Sequence, residues 1–186
     1  MALGLAALWG GPAGLIWASE EAAVAEVGAP YSAGLAQFGL DPARVLVVRA
    51  RRREEALWAA EQSLSIPGAV VLCGLGGRGK PLDLKATRRL LLAGERHGSR
   101  CLLLKPEDGP TAAWTRWRVE ASPSRGLSRE LGAPAFRATL TRNRAGSAGQ
   151  SFLLEWNAHE RAFSDMGRDL AAASGDGSAD PIRRRA

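Results

Sequence analysis

Four short, wholly apolar runs set between helical stretches constrain this chain most: GLIWA at 14–18, VLVV at 45–48, AVVLC at 69–73 and CLLL at 101–104. Runs of this length and composition, bounded by turn residues, are strands buried on both faces. Helical patterns lie between them, at 20–28, 31–39, 54–64 and 84–97, and a first one at 2–9 closes on Gly10, Gly11 and Pro12. Strand and helix alternating in this way predict a parallel sheet with helical crossovers, an α/β fold. At 186 residues the chain is long enough for one domain with a sizeable core and too short for two comfortable ones.

The period then changes. Residues 114–121 alternate, with Trp114, Arg116 and Arg118 on one face and Thr115, Trp117 and Val119 on the other. Residues 136–142 and 151–156 read as a hairpin joined by the loop 143–149, so the sheet is expected to finish with antiparallel strands. From about Ser164 the composition turns small, polar and Pro/Gly-bearing, which predicts a domain over 1–163 and a disordered tail over 164–186 ending in arginines.

Within 66–106 the turn after the third apolar run holds Gly74, Gly79 and Lys80, the GxxxxGK half of a phosphate-binding loop. Pro81 stands where such a loop needs a Ser or Thr hydroxyl for Mg²⁺, and no hydrophobic strand ending in Asp follows. The turn is therefore a degenerate loop with no bound nucleotide expected, and no cofactor is implied. His97 and His159 are too far apart to suggest a metal site, and Cys73 and Cys101 sit inside apolar runs as small core residues. Glu20, just past a buried strand, is where a water-activating carboxylate would stand, but it also suits a helix start.

A net charge of +6 and a pI near 10.3, carried mostly by arginine, point to a polyanion or an acidic partner. The same excess also follows from a composition rich in Ala, Gly and Arg. The candidate contact residues are Arg51, Arg52 and Arg53 ahead of a helix that opens on Glu54 and Glu55, the basic helix side of Lys85, Arg88, Arg89 and Arg96, and the strand face of Trp114, Arg116 and Arg118. The opening MALGLAALWGGPAGLIWAS lacks a basic leader region and is broken by Gly10, Gly11 and Pro12, so a cytoplasmic protein without a membrane anchor is expected.

Several strings in order, YSAGLAQFGLDPARVLVVRA, EEALWAAEQSL, LDLKATRRLLLAGERHGSRCLLLKP, WTRWRVEASPS and FLLEW, resemble the RecA-like family, and more closely its SOS-mutagenesis branch, ImuA. The resemblance runs from Tyr31 to Trp156, about two thirds of the chain. It implies a RecA-like three-layer core, incomplete at the N-terminus because the family's phosphate loop would lie upstream of Met1. It also implies a non-catalytic accessory role in translesion synthesis beside an ImuB-like inactive Y-family polymerase homologue, RecA and a damage-inducible C-family polymerase. In that frame Gly74 stands where a RecA-type ATPase places its magnesium-associated Asp. Other readings stay open: a module binding single-stranded DNA through Trp114, Arg116 and Arg118, an SOS cell-division inhibitor, and an ATPase using the loop from Gly74 to Lys80.

Overall fold

The computed structural model describes residues 1–10, 14–77, 81–106, 109–124 and 132–166. Its strands are β1 (Leu15–Glu20), β2 (Val45–Ala50), β3 (Val70–Gly74), β4 (Arg100–Leu104), β5 (Thr115–Ser122), β6 (Ala135–Asn143), β7 (Ser151–Asn157) and β8 (Ala162–Asp165). Its α-helices are α1 (Ala2–Trp9), α2 (Glu21–Val27), α3 (Ser32–Gln37), α4 (Arg53–Ser63) and α5 (Leu84–His97). The first four strands form a parallel sheet in the order β2-β1-β3-β4, and the last four pair antiparallel in the order β5-β6-β7-β8. The antiparallel strands are thus a second sheet, hydrogen-bonded among themselves, rather than a continuation of the first.

Alternation along the parallel strands sorts their side chains into two cores. Ile16, Ala18, Val71 and Cys73 face α4 and α5, joining Ala56, Ala60, Leu64 and Leu90. Leu15, Val70 and Leu72 face the opposite way, toward Ala6 of α1 and Leu35 of α3. Helices on both faces of the sheet make three layers, as the alternating sequence predicts. The RecA-like α/β class expected above describes this arrangement.

The two best-defined helix ends are those of α5. The Asp83 side chain accepts the Lys85 backbone N–H at 3.0 Å, and Gly98 takes the left-handed conformation (φ 64°) that ends the helix. Thr87, Leu90 and Gly94 are buried as the spacing requires, whereas Leu84 is exposed.

The second sheet is tied to the first through Trp156. Its ring meets Phe38 at 5.3 Å and Phe163 at 4.9 Å between centroids, and its Nε1 donates to the Gln37 carbonyl at 3.4 Å. Gly4 of α1 lets both rings approach, since a Cβ there would strike Phe163 and Trp156. Strand β8 takes Ser164 and Asp165 into the sheet, and Met166 is buried beyond it, so the tail boundary expected at Ser164 falls inside a strand. The rest of the tail, residues 167–186, lies outside the described residues.

Not all the apolar runs are interior. Strand β2 ends the parallel sheet, and Leu46 (60% exposed) and Val47 (43%) face solvent, against the expectation of a fully buried strand. Among the described residues no helix is long and apolar enough to cross a membrane.

Candidate interaction surface

The strand order reverses between β1 and β3, so the chain leaves their C-terminal ends in opposite directions, the place where α/β sheets hold ligands. Here a buried ion pair fastens the end of β1 to the turn after β3. The Glu20 carboxylate accepts the Gly76 backbone N–H at 3.1 Å and lies 3.6 Å from Arg53 Nε. Arg53 in turn donates from Nη2 to the Gly76 carbonyl at 2.6 Å. Glu26 of α2 accepts the next amide, Gly77 N–H, at 3.2 Å. Both backbone groups of Gly76 and one of Gly77 are therefore used within the protein.

The glycines of this turn serve close packing. A Cβ on Gly76 would lie 2.8 Å from Ala22 Cβ, and one on Gly74 would lie 2.7 Å from Ser19 Oγ. A side chain at position 74 would turn the Ser19 hydroxyl away from Trp17 Nε1–H, which it accepts at 2.8 Å. Gly79 and Lys80, the rest of the loop fragment, lie outside the described residues. A cleft of about 400 Å³ opens beside the turn, walled mainly by apolar side chains such as Trp17, Val24 and Leu104, with Glu26 and Lys105 among its lining residues.

The arginine run divides by environment. Arg53 occupies the first turn of α4 rather than preceding it, and it is buried, which removes it from the set of surface contact residues. Arg51 and Arg52 are exposed and are organised by one carboxylate. Glu55 Oε2 accepts the backbone N–H of Arg51 at 3.1 Å and of Arg52 at 3.3 Å, while its Oε1 accepts Arg52 Nε at 2.8 Å. The Arg52 side chain holds Glu55 below the usual carboxylate range.

On α5 the residues Lys85, Arg88, Arg89, Leu92 and Arg96 are all exposed, at the three- and four-residue spacing of one helix side. Arg89 Nε is bonded to Glu61 of α4 at 3.0 Å, which neutralises the middle of the row. At its far end Glu95 accepts Trp114 Nε1–H at 3.0 Å, and the Arg144 guanidinium lies 4.9 Å from the centre of the Trp114 ring. Arg144 also donates to the Ala112 carbonyl at 3.3 Å. Trp114 is half exposed, so a basic helix side runs into an aromatic ring fixed by an acid at its nitrogen and a cation over its ring. Arg144 and Glu95 complete this group, and neither follows from the local pattern around Trp114.

Trp114 precedes β5, which opens at Thr115, so the face expected for Trp114, Arg116 and Arg118 does not begin at the tryptophan. In the β5–β6 register Arg116 is opposite Arg142 and Trp117 is opposite Leu140, with a shift between them. One step along β5 there matches two along β6, so the extra residue, Thr141, bulges from β6 and β5 keeps its alternation. Arg116 and Arg142 both reach Thr111, at 3.5 Å to its Oγ1 and 2.6 Å to its carbonyl.

The cysteines are inert core residues. Burial pushes the Cys101 thiol up to about 12 and the Cys73 thiol well above its ordinary value. Since the folded thiols hold their protons where unfolded ones release them, stability is expected to be intact below pH 9 and to fall as pH rises from 9 toward 12. The check is denaturant unfolding across that range, together with slow alkylation of the folded chain at pH 8. Fast labelling without unfolding would contradict it. Among the described residues no group of three or more His, Cys, Asp or Glu is gathered to hold a metal ion.

Comparison with known proteins gives two kinds of match. Protein ImuA from two strains of Caulobacter vibrioides is 32% identical over 133 residues, covering 64% of this chain and 53% of that protein. The chain thus spans about half the length of these curated relatives. Among solved structures, the RadB recombinase superposes with a TM-score of 0.53 at 14% identity, covering 89% of this chain and 81% of that one. No protein-family profile matches the chain.

Proposed function

We propose that the chain is an ImuA-like protein on a RecA-like fold and a non-catalytic accessory protein of SOS-induced translesion synthesis, acting by docking. The observation that carries this reading is the 32% identity to ImuA over 133 residues. The state of the crevice supports the non-catalytic part. Glu20, the acidic group at the end of β1, is committed to Arg53 and the Gly76 amide, and position 74 is a glycine that offers no carboxylate.

The docking partner in this reading is an ImuB-like inactive Y-family polymerase homologue, with RecA and a C-family polymerase as further members of the assembly. The side of α5 from Lys85 to Arg96, together with Trp114, has the make-up of a contact surface, with arginines around a fixed, half-exposed tryptophan. Exposed Arg51 and Arg52 lie on a separate loop and serve as peripheral charge. Co-expression with an ImuB-like protein tests the reading: a complex that survives purification supports it, and recovery of the chain alone contradicts it.

A second reading has its own observation, the Arg144–Trp114 stack joined to α5 through Glu95. A ring held in place with part of its surface open is a platform on which a base of single-stranded DNA can stack. Binding of a fluorescent oligothymidylate is then expected to weaken steeply between 50 and 200 mM salt, with a log–log slope of about −0.7 per phosphate neutralised. Trp114→Ala is expected to lose about 1–3 kcal/mol of affinity. Salt-independent or absent binding removes this reading.

A further inference from the structure

Strand β5 ends the second sheet, and Trp117 to Ala121 are all exposed along it. The strand is eight residues long, holds neither Pro nor Gly, and presents Trp117 and Val119 to solvent. Long open edges of this kind are templates for another strand, and proteins that keep them free usually protect them with Pro, bulges or inward charges. The register shift against β6 lies between Arg116 and Trp117 and its extra residue, Thr141, is on β6, which leaves β5 regular from Trp117 to Ser122.

The sequence around Val119 is self-complementary when read in the two antiparallel directions. The geometry points to β5 pairing with β5 of a second copy, antiparallel and centred on Val119, so that two four-stranded sheets become one sheet of eight strands about a two-fold axis. In that register Arg118 stands opposite Glu120 of the second copy, and Glu120 opposite Arg118 of the second copy. Trp117 stands opposite Ala121 of the second copy, a large side chain against a small one, and Val119 meets its own equivalent.

The neighbouring strands favour the same register. Trp117 and Val119 lie on the side of the sheet that carries Leu140 and Ala138, and Phe152 of β7 reaches the Trp117 ring at 6.0 Å between centroids. The apolar strip on one face thereby continues across the axis. On the other face Glu120 already lies opposite Arg137 of β6, so pairing would place it between two guanidinium groups.

A two-fold axis perpendicular to a continuous sheet must pass through a residue position, because directly opposed residues share a face. Centring on Arg118 would oppose two arginines, centring on Glu120 two glutamates, and centring on Trp117 would set Arg116 against Arg118. Like charges directly opposite one another destabilise a strand pair, and centring on Ala121 sets Glu120 against Ser122 with no ion pair formed, so Val119, which forms two Arg–Glu pairs, is the centre the charges favour.

The inference is independent of the docking role proposed above, since a monomeric chain would leave that role standing. The test is a charge swap read by sedimentation equilibrium on the full chain. The parent chain is expected to dimerise at micromolar concentration, to twice its 19.7 kDa mass. Arg118→Glu and Glu120→Arg, each placing like charges opposite one another twice, are each expected to weaken the dimer about tenfold or more. Mixing these two variants restores complementarity, so a heterodimer of near-parental affinity is expected from two poorly dimerising chains. Unchanged melting temperatures show that the exposed substitutions leave the fold intact. A parent chain monomeric at every accessible concentration, single variants that dimerise like the parent, or a mixture that fails to recover affinity would overturn the proposal.

Discussion

Trp156→Ala is expected to destabilise the protein by about 3–5 kcal/mol, the cost of deleting a large aromatic side chain from a core. Trp156 is 2% exposed and is the largest of the fully buried side chains. Its removal strips Phe38, Phe163 and Gly4 of a common neighbour and leaves the Gln37 carbonyl without the indole N–H. Because this ring joins α1 and α3 to the antiparallel sheet, the loss spans both sheets. In thermal unfolding the midpoint is expected to drop by roughly 6–20 °C, from about 2–4 °C per kcal/mol for a chain of this size. Trp156→Phe keeps a ring and is expected to lose less. A change below about 1 kcal/mol for the alanine variant would mean that the second sheet is held elsewhere.

The second large effect is expected at the crevice. Arg53→Ala removes one partner of a buried ion pair whose side chains are each only 10% exposed. It leaves the Glu20 carboxylate buried with a single amide N–H, and it takes away the guanidinium that satisfies the Gly76 carbonyl. Breaking such a pair from one side costs about 3–5 kcal/mol, because the remaining charge is uncompensated. Adding Glu20→Gln to Arg53→Ala neutralises that charge while keeping an acceptor for Gly76, so the double variant is expected to be more stable than Arg53→Ala alone. If Arg53→Ala unfolds like the parent chain, Glu20 is not tied down and a chemical role for it reopens.

How much of this was legible in the sequence depended on whether the cause was local. The apolar runs became strands and the spacing of α5 became a helix with Asp83 and Gly98 at its ends, because those signals act within a few residues. Burial of β2 was overestimated because VLVV reads as an interior strand, and only the sheet order places it at an edge with Leu46 and Val47 exposed. Arg53 read as part of a surface run, since its burial depends on Glu20 and Gly76, far away in the chain.

The surface shows the same division. The basic side of α5 was visible from helical spacing alone. Trp114 falls outside the strand face expected to unite it with Arg116 and Arg118, since β5 begins at Thr115, and the bulge at Thr141 of β6 is a property of two strands in register that leaves no local mark in the sequence. Arg144 and Glu95 joined Trp114 only through tertiary structure, and the four-residue β8 was too short to stand out from a polar segment.

The role proposed for the chain is docking, with Glu20 at the crevice held by Arg53 and the Gly76 amide. Isothermal titration of the purified chain into an ImuB-like polymerase homologue, paired with a nucleotide-hydrolysis assay on the same sample, tests it most directly. Saturable binding that weakens when Arg88, Trp114 and Arg96 are replaced together is expected, with no hydrolysis. Absence of binding, or ATP turnover by the chain, would contradict it.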